Sequence, residues 1–324
     1  MPQSKSRPKE RYTRQRHARA IRRVIAAISP SNSHTQTMSP LFSLLPAELR
    51  LQIFRHVLSQ RPDTTRPVFI HSISPLFRPG HTHHVQTSTA LLSTCRLVYY
   101  EAHGIPLRSA THHFRYLGST SLLYNGDIWL RHVTKQQGAG LYHLHDNLIA
   151  LRPPNFSRFL LPHLCWKRVT WTICAYLWPS VLQSQNGIGE LSAVMSGIVL
   201  PASCREVTLE LETREDLLGY WEGLLEQAEL CKRLALEKAD GEKLAFDEKL
   251  SLMYTWTGSG QARWGSSGDA METESMEYRT IRLVWRVRGA RREYVSYDEL
   301  ECLQLEGCRE VKSVKLLGCL ESPI

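Results

Sequence analysis

The chain has 324 residues, of which 42% are hydrophobic and 22% charged, and this composition excludes a disordered or fibrous protein. The length predicts one large hydrophobic core or two modest ones. Eight cysteines without any C-x-x-C spacing, and the lack of a signal peptide, indicate an intracellular, reduced protein rather than a disulfide scaffold.

The net charge of +9 is located almost entirely in the N-terminal tail. Residues 1–28 hold nine Lys and Arg side chains against one acid, whereas the rest of the chain holds 31 basic and 30 acidic side chains. The folded part is therefore not expected to present a basic face to nucleic acid. We predict a disordered basic tail and linker over residues 1–40. This tail is either a solvated charge block, a nuclear or RNA-binding arm, or an Arg-rich transit peptide.

The first predicted helix follows a Ser/Thr/Pro-rich linker at residues 29–43. Pro46 suits its first turn because the missing N–H is not needed there, and Glu48 favours the positive end of the helix dipole. The helix is expected to end near Ser59. Its apolar residues form a stripe that is wider than a single seam: Leu49, Leu51, Ile53, Phe54, Val57 and Leu58. A helix with so wide a stripe is expected to be covered on two sides.

A loop-rich insertion separates this helix from the next one. Residues 60–89 contain four prolines and one short strand candidate, at 67–73. A second helix is predicted over 91–102, where apolar residues recur at spacings of three and four, and Gly104 and Pro106 are expected to end it.

The remaining chain predicts a sheet with some helices. Four segments alternate apolar and polar residues with the period of a half-buried strand: 114–116, 169–173, 207–211 and 281–287. A helix predicted over 191–200 indicates a strand–helix–strand crossover and hence some parallel pairing. Because the strand intervals are irregular, a degenerate leucine-rich region and an open sheet are the two alternatives. The predicted fold is therefore α+β or irregular α/β.

Two further segments complete the C-terminal half. Apolar spacing predicts a long helix over 213–250 with Thr213 as its N-cap, and Gly- and Ser-rich residues predict a flexible loop over 257–277. The charge-free run 169–189 approaches the length of a membrane span, but it contains Pro179 and its apolar part ends early. We therefore assign that run to the core and predict no membrane association.

No motif for catalysis or cofactor binding is present. The sequence lacks the P-loop, the dinucleotide-binding glycine pattern, the zinc-protease motif and the nucleophile elbow. All 14 histidines lie at or before His163, and the groups at 81–84, 112–113 and 143–146 are the candidates for a metal site. No cysteine lies at zinc-finger spacing from any of these groups. We therefore predict a protein that is not an enzyme and needs no metal or cofactor.

Three segments carry a resemblance to a known family: LLPAELRLQIFRHVL, ALLSTCRLVYYEA and HHFRYLG. They resemble the fungal F-box-like proteins, in which an LP-x-E-[LI]-R-x-x-I helix precedes a T-C-R-x-x-x-x-E-A helix and a strand with Phe. In the F-box family the Leu-Pro pair and the apolar helix face bind the linker subunit of a cullin-based ubiquitin ligase. The resemblance implies the following partner-binding residues: Leu45, Pro46, Leu49, Ile53, Leu58, Cys95 and Arg96.

The resemblance also implies a domain organisation. An F-box-like module would span 41–117 with the insertion 60–89, and an α/β region would occupy 118–324. The insertion is longer than a compact F-box allows, and the C-terminal part shows no regular substrate-binding repeat. Three functions stay open: a ubiquitin-ligase adaptor, a self-contained interaction module without ligase binding, and a protein that associates with nucleic acid through its tail. The expected location is nuclear or cytoplasmic, with the mitochondrion as the third alternative.

Overall fold

The computed structural model divides the chain into two compact units. It describes the following residues: 20, 23–25, 27–67, 83–114, 130, 133–148, 151, 153–174, 190–259, 275–288 and 309–313. The first unit comprises 1–59 and 87–106, and the second comprises 60–86 and 107–324. This division differs from the predicted module 41–117, because the insertion and the strand after residue 106 belong to the second unit.

Short helices build the described part of the first unit. They are α1 Pro40–Ser43, α2 Ala47–Leu58 and α3 Arg96–Ala102, with 3₁₀ turns at Pro30–Asn32 and Ala90–Ser93. Helix α2 confirms the first predicted helix, although Pro46 is its N-cap rather than its first helical residue. The linker expected to be disordered instead contains α1 and one 3₁₀ turn. That turn is closed by the Asn32 side chain, which accepts the Ser29 N–H at 2.9 Å.

The second predicted helix is interrupted. Cys95 has an extended backbone and its sulfur accepts the Val98 N–H at 3.5 Å, so that α3 begins only at Arg96. Gly104 does not end the helical region, since α4 Ile105–Ser109 follows at once. Pro106 is tolerated there because it lies in a first helical turn.

A small apolar core holds the first unit together. Its buried members are Phe54, Leu58, Val98, Ala102 and Ile105. Helix α2 therefore contributes only one side to this core. The side that carries Leu49, Ile53 and Val57 is exposed in the described structure, so the described residues of this chain cover α2 on one side only.

The described residues of the second unit form a mixed sheet of ten strands and a separate two-stranded ribbon. The ribbon pairs β1 Arg61–Pro67 with β2 His83–Gln86 in antiparallel fashion. The strands of the large sheet are β3 Thr111–Phe114, β4 His143–Leu148, β5 Arg168–Ile173, β6 Val199–Leu200, β7 Glu206–Arg214, β8 Leu236–Lys238, β9 Lys243–Phe246, β10 Leu252–Ser259, β11 Ser275–Arg286 and β12 Arg309–Ser313. Their order is β3-β4-β5-β7-β11-β9-β8-β6, with β10 paired to β11 and β12 beside this path.

The sheet is parallel from β3 to β7 and mostly antiparallel beyond β7, where, among the described strands, only the β6–β8 pair is parallel. Strands β3, β4, β5 and β7 pair in parallel, whereas β11 is antiparallel to β7, β9 and β10. Helix α7 Glu190–Ser196 lies between β5 and β7 in the chain, and β5 and β7 pair in parallel, which confirms the predicted crossover. The described residues of this unit also form α5 Lys135–Ala139, α6 Pro153–Ser157 and α8 Trp221–Lys232. The path has two ends, so the open sheet is the observed architecture and the mixed α and β content is confirmed.

The helix predicted over 213–250 is wrong in its extent. Thr213 continues β7, a 3₁₀ segment spans Glu215–Tyr220, and α8 ends at Lys232. Strands β8 and β9 follow, because the apolar residues there alternate instead of recurring every three or four positions. Gly241 has φ +83° in the turn between these strands, a conformation that glycine adopts without strain.

Other predicted segments are described only in part. The loop expected at 257–277 begins later and ends earlier, since β10 reaches Ser259 and β11 starts at Ser275. The strand predicted at 67–73 retains only Pro67, at the end of β1, and the strand at 114–116 is described as far as Phe114. The remainder of these segments, the tail residues 1–19 and residues 175–189 of the charge-free run lie outside the described residues.

Both faces of the central strands are buried, which differs from the half-buried strands predicted. Strands β5 and β7 bury nearly every residue. One face is apolar and belongs to a large core with Trp171, Leu209 and Leu283, to which α8 contributes Leu224 and Ala228. The other face carries polar side chains. No helix among the described residues is long and apolar enough to cross a membrane.

Candidate protein-interaction site

Exposed apolar side chains are concentrated in the first unit. Of the nine large hydrophobic side chains that are exposed among the described residues, seven belong to that unit: Val24, Met38, Leu44, Leu49, Ile53, Val57 and Tyr100. Single exposed apolar residues are common on any protein, but several on one element indicate a contact surface.

Three of these side chains form a row on α2. Leu49, Ile53 and Val57 are spaced by four residues and therefore lie on one face of the helix. They are 45%, 41% and 37% exposed, whereas Phe54 and Leu58 on the other side of the helix are fully buried. We call Leu49, Ile53 and Val57 the docking stripe. An exposed apolar row on a helix that is anchored by its opposite face has the form needed for helix-in-groove recognition.

The structure separates the predicted partner-binding residues on and near α2. Leu49 and Ile53 belong to the docking stripe, Pro46 is exposed, and Leu45 is half-buried. Leu58 is fully buried in the core of the unit, so its assignment to the partner surface is wrong. Both sides of this helix are apolar in sequence, so the pattern alone does not show which side packs into the protein's own core.

The set of partner-binding residues predicted from the sequence also omitted Val57. This residue continues the spacing of four that begins at Leu49, and it is exposed in place of Leu58. The spacing was a usable signal, because residues four apart lie one above the other on a helix.

Cys95 and Arg96 line a different feature, a groove of about 530 Å³ in the first unit. Its lining residues are Ile25, Ile28, Thr89, Leu92, Ser93, Cys95, Arg96 and Tyr99. Arg96 is exposed and its guanidinium donates to the Asn32 carbonyl at 3.3 Å, while burial raises the pKa of Tyr99. No residue of the docking stripe lines this groove, so the predicted residues belong to two separate features.

A half-buried ion pair lies beside the docking stripe. The Arg50 guanidinium donates from Nε and Nη2 to the two carboxylate oxygens of Glu101 at 3.0 and 2.7 Å. Its Nη1 donates to the Leu45 carbonyl at 2.8 Å. The hydrogen bonds and negative charge of Glu101 raise the pKa of Arg50. Both residues occur in the sequence motifs quoted above, as the Arg of the first and the Glu of the second, but the motifs did not reveal that they pair.

The second unit contains a network of polar side chains on the buried polar face of the sheet, which we call the polar row. Its members are Thr111, His143, His145, Thr170, Thr172, Glu210, Tyr254 and Arg282. His143 bridges two strands, since its ring nitrogens lie 3.0 Å from Thr111 Oγ1 and 2.9 Å from Thr170 Oγ1.

Glu210 is the centre of the second part of the polar row. One carboxylate oxygen accepts two hydrogen bonds from Arg282, at 3.0 and 2.7 Å, and a longer one from Tyr254 at 3.4 Å. The other accepts from Thr172 at 2.8 Å, and Thr172 Oγ1 is also 2.9 Å from His145 Nε2. The arrangement joins five strands, β4, β5, β7, β10 and β11, by hydrogen bonds that are shielded from water. Such a network stabilises one sheet register.

The histidines considered as metal ligands are not brought together with a third ligand. His143 and His145 share the polar row, but Asp146 points to the opposite face and accepts from Arg158 at 2.6 Å. Within the part of the chain that the structure describes, no group of three or more His, Cys, Asp or Glu side chains is arranged to hold a metal ion. His81 lies outside that part, and the side chains of His83 and His84 are not described.

Comparison with known proteins adds no relative. No protein-family model matches the chain, and neither the curated proteins nor the solved structures give a match. The resemblance to F-box-like proteins therefore stays a prediction.

Proposed function

We propose that this protein is a non-enzymatic interaction module whose first unit binds the linker subunit of a cullin-based ubiquitin ligase. The observation that carries the proposal is the docking stripe, an exposed apolar row on the helix that has the F-box-like motif. Helix α2 is held in place by Phe54 and Leu58, so the exposed row is presented without any rearrangement.

The energetics of the stripe favour a protein partner. Complete burial of an aliphatic side chain contributes about 1.5–3 kcal/mol, so covering the exposed remainder of Leu49, Ile53 and Val57 contributes about 1 kcal/mol each. These side chains offer no hydrogen-bonding group, and an apolar groove on the partner is therefore the matching surface. The half-buried Leu45 and the exposed Pro46 precede the stripe directly and extend the surface toward the start of the helix.

The proposal is tested with two single substitutions on α2. Ile53→Asp places a charge in the docking stripe, and Gln52→Asp places the same charge on the neighbouring exposed position. We expect the unmodified full-length chain to co-purify with the recombinant linker subunit, Ile53→Asp to abolish co-purification, and Gln52→Asp to retain it. Circular dichroism melting of each variant reports whether the fold is intact.

Two results contradict the proposal. Failure of the unmodified chain to bind the linker subunit excludes the adaptor and favours a self-contained module. Binding that survives Ile53→Asp in a folded variant shows that the stripe is not the contact surface.

A further inference from the structure

One guanidinium joins four parts of the first unit. Arg50 lies in α2, and its two bonds to Glu101 reach α3. Its bond to the Leu45 carbonyl holds the segment before α2, and its Cζ lies 5.2 Å from the centre of the Phe42 ring in α1. All of these partners come from separate elements, so a single side chain fixes the arrangement of the three helices and the Leu45-Pro46 turn.

Arg50 also adjoins the docking stripe in sequence. It follows Leu49 directly and precedes Ile53 by one helical turn, but its own side chain is only 14% exposed and points to Glu101. It therefore offers the partner little surface. Its carbonyl contact instead fixes the turn that carries Leu44, which is 76% exposed.

We propose that Arg50 is the positioning residue of the docking surface. It holds the segment Leu44–Pro46 and the docking stripe in one arrangement, so that both meet a partner together. The identity of the partner rests on the function proposed above, but the positioning of the segment does not. An anchored surface binds more tightly because less conformational entropy is lost on binding.

The chemistry of arginine is necessary for this role. Only a planar guanidinium can donate in parallel to both oxygens of a carboxylate and still reach a carbonyl with a third N–H. A lysine ammonium retains the charge but not the fork, so it cannot hold Glu101 and Leu45 in the same geometry.

The test compares Arg50→Met and Arg50→Lys with a matched control, Arg55→Met, in the full chain. Methionine retains much of the side-chain stem and removes the guanidinium. Arg55 lies exposed on the same helix, and no ion pair of its side chain occurs among the described residues. The control therefore makes the same chemical change without breaking the contacts of Arg50.

Hydrogen exchange of the free protein is the first measurement. The amides of Phe42, Ser43 and Leu44 are protected by bonds to the Ser39 and Pro40 carbonyls. We expect both Arg50 variants to exchange these amides faster than the unmodified chain, and Arg55→Met to exchange them at the unmodified rate. Unchanged exchange in the Arg50 variants overturns the inference, whatever the partner is.

The second measurement is the Kd for the purified linker subunit, determined by calorimetry at a temperature where all variants are folded. Losing a hydrogen bond to a charged group typically weakens an interaction by about tenfold. We therefore expect Arg50→Met to bind about tenfold more weakly than the unmodified chain, and the affinity of Arg55→Met to stay within about twofold of it. An unchanged Kd together with faster exchange shows a purely structural role and overturns the inference. If the unmodified chain does not bind at all, the proposed function fails, while the exchange result still decides whether Arg50 holds the segment Leu44–Pro46.

Discussion

At the scale of single residues, Glu210 determines the direction of the hydrogen bonds in the polar row. Its carboxylate only accepts, so the single hydroxyl proton of Thr172 points to Glu210. Thr172 must then accept from His145, which places a proton on Nε2 of that imidazole. One buried charge thus sets the tautomer of a histidine two strands away.

The first residue-scale prediction is that Glu210→Gln strongly destabilises the protein. Glu210 and Arg282 are 2% and 5% exposed, and breaking a buried ion pair by removing the charge of one member typically costs about 3–5 kcal/mol. Urea unfolding measures the change. The matched control is Glu237→Gln on the exposed side of β8, which we expect to change the free energy of unfolding by less than about 0.5 kcal/mol. Equal effects of the two substitutions would contradict a special role of Glu210.

The second residue-scale prediction concerns pH and His112. Burial lowers the pKa of this imidazole, whose ring lies 5.5 Å from Trp166, so the folded protein keeps it neutral where the unfolded chain takes up a proton. The free energy of unfolding therefore falls as the pH drops below about 6.5, by at most about 1.4 kcal/mol per pH unit from this group.

Urea unfolding at pH 7.5 and pH 5.5 tests the prediction. We expect His112→Gln to reduce the loss of stability between these two values, and the exposed control His56→Gln to leave it nearly unchanged. A loss that is the same in His112→Gln and in the unmodified chain would show that His112 does not contribute.

At the scale of elements, the sequence predicted the positions of the strands better than the burial of their side chains. The alternation at Val169, Val207 and Ile281 identified β5, β7 and β11, because period two is the geometry of a strand. The same alternation suggested that the polar positions face water. They are buried instead, because residues such as Thr172 and Glu210 satisfy each other across strands, and a pattern along one strand carries no information about its neighbours.

For the helices, the sequence predicted their presence better than their ends or their buried residues. Apolar spacing located α2 correctly, yet it could not separate Ile53, which is exposed, from Leu58, which is buried. The spacing after Thr213 located α8, yet it did not reveal that β7 continues to Arg214 or that α8 ends at Lys232. In both places the packing partners decide the outcome, and they lie far away in the sequence. The Arg50–Glu101 pair was unpredictable for the same reason, since its members are 51 residues apart.

At the scale of the whole molecule, exposed apolar surface and charge are distributed unevenly along the chain. Among the described residues, the first unit carries most of the exposed large apolar side chains, while the sheet of the second unit is buried on both faces at β5 and β7. The net positive charge is concentrated in a different segment, because residues 1–28 hold nine basic side chains and one acid, and the remainder of the chain is close to neutral. A partner that recognises apolar surface and a partner that recognises positive charge would therefore bind different parts of the chain.

This separation leads to the whole-molecule prediction that any affinity for nucleic acid is confined to residues 1–28. Lys and Arg bind phosphate with release of counterions, so binding through about nine cations weakens steeply as salt is raised. We expect replacement of the nine Lys and Arg residues of this segment by Gln to abolish salt-dependent binding of a fluorescent single-stranded RNA, measured by anisotropy between 50 and about 200 mM salt. The replacement keeps the chain length, and co-purification with the linker subunit serves as the control, since the docking stripe is untouched. RNA affinity that persists in the Gln variant would place the binding surface in the near-neutral remainder and contradict the prediction.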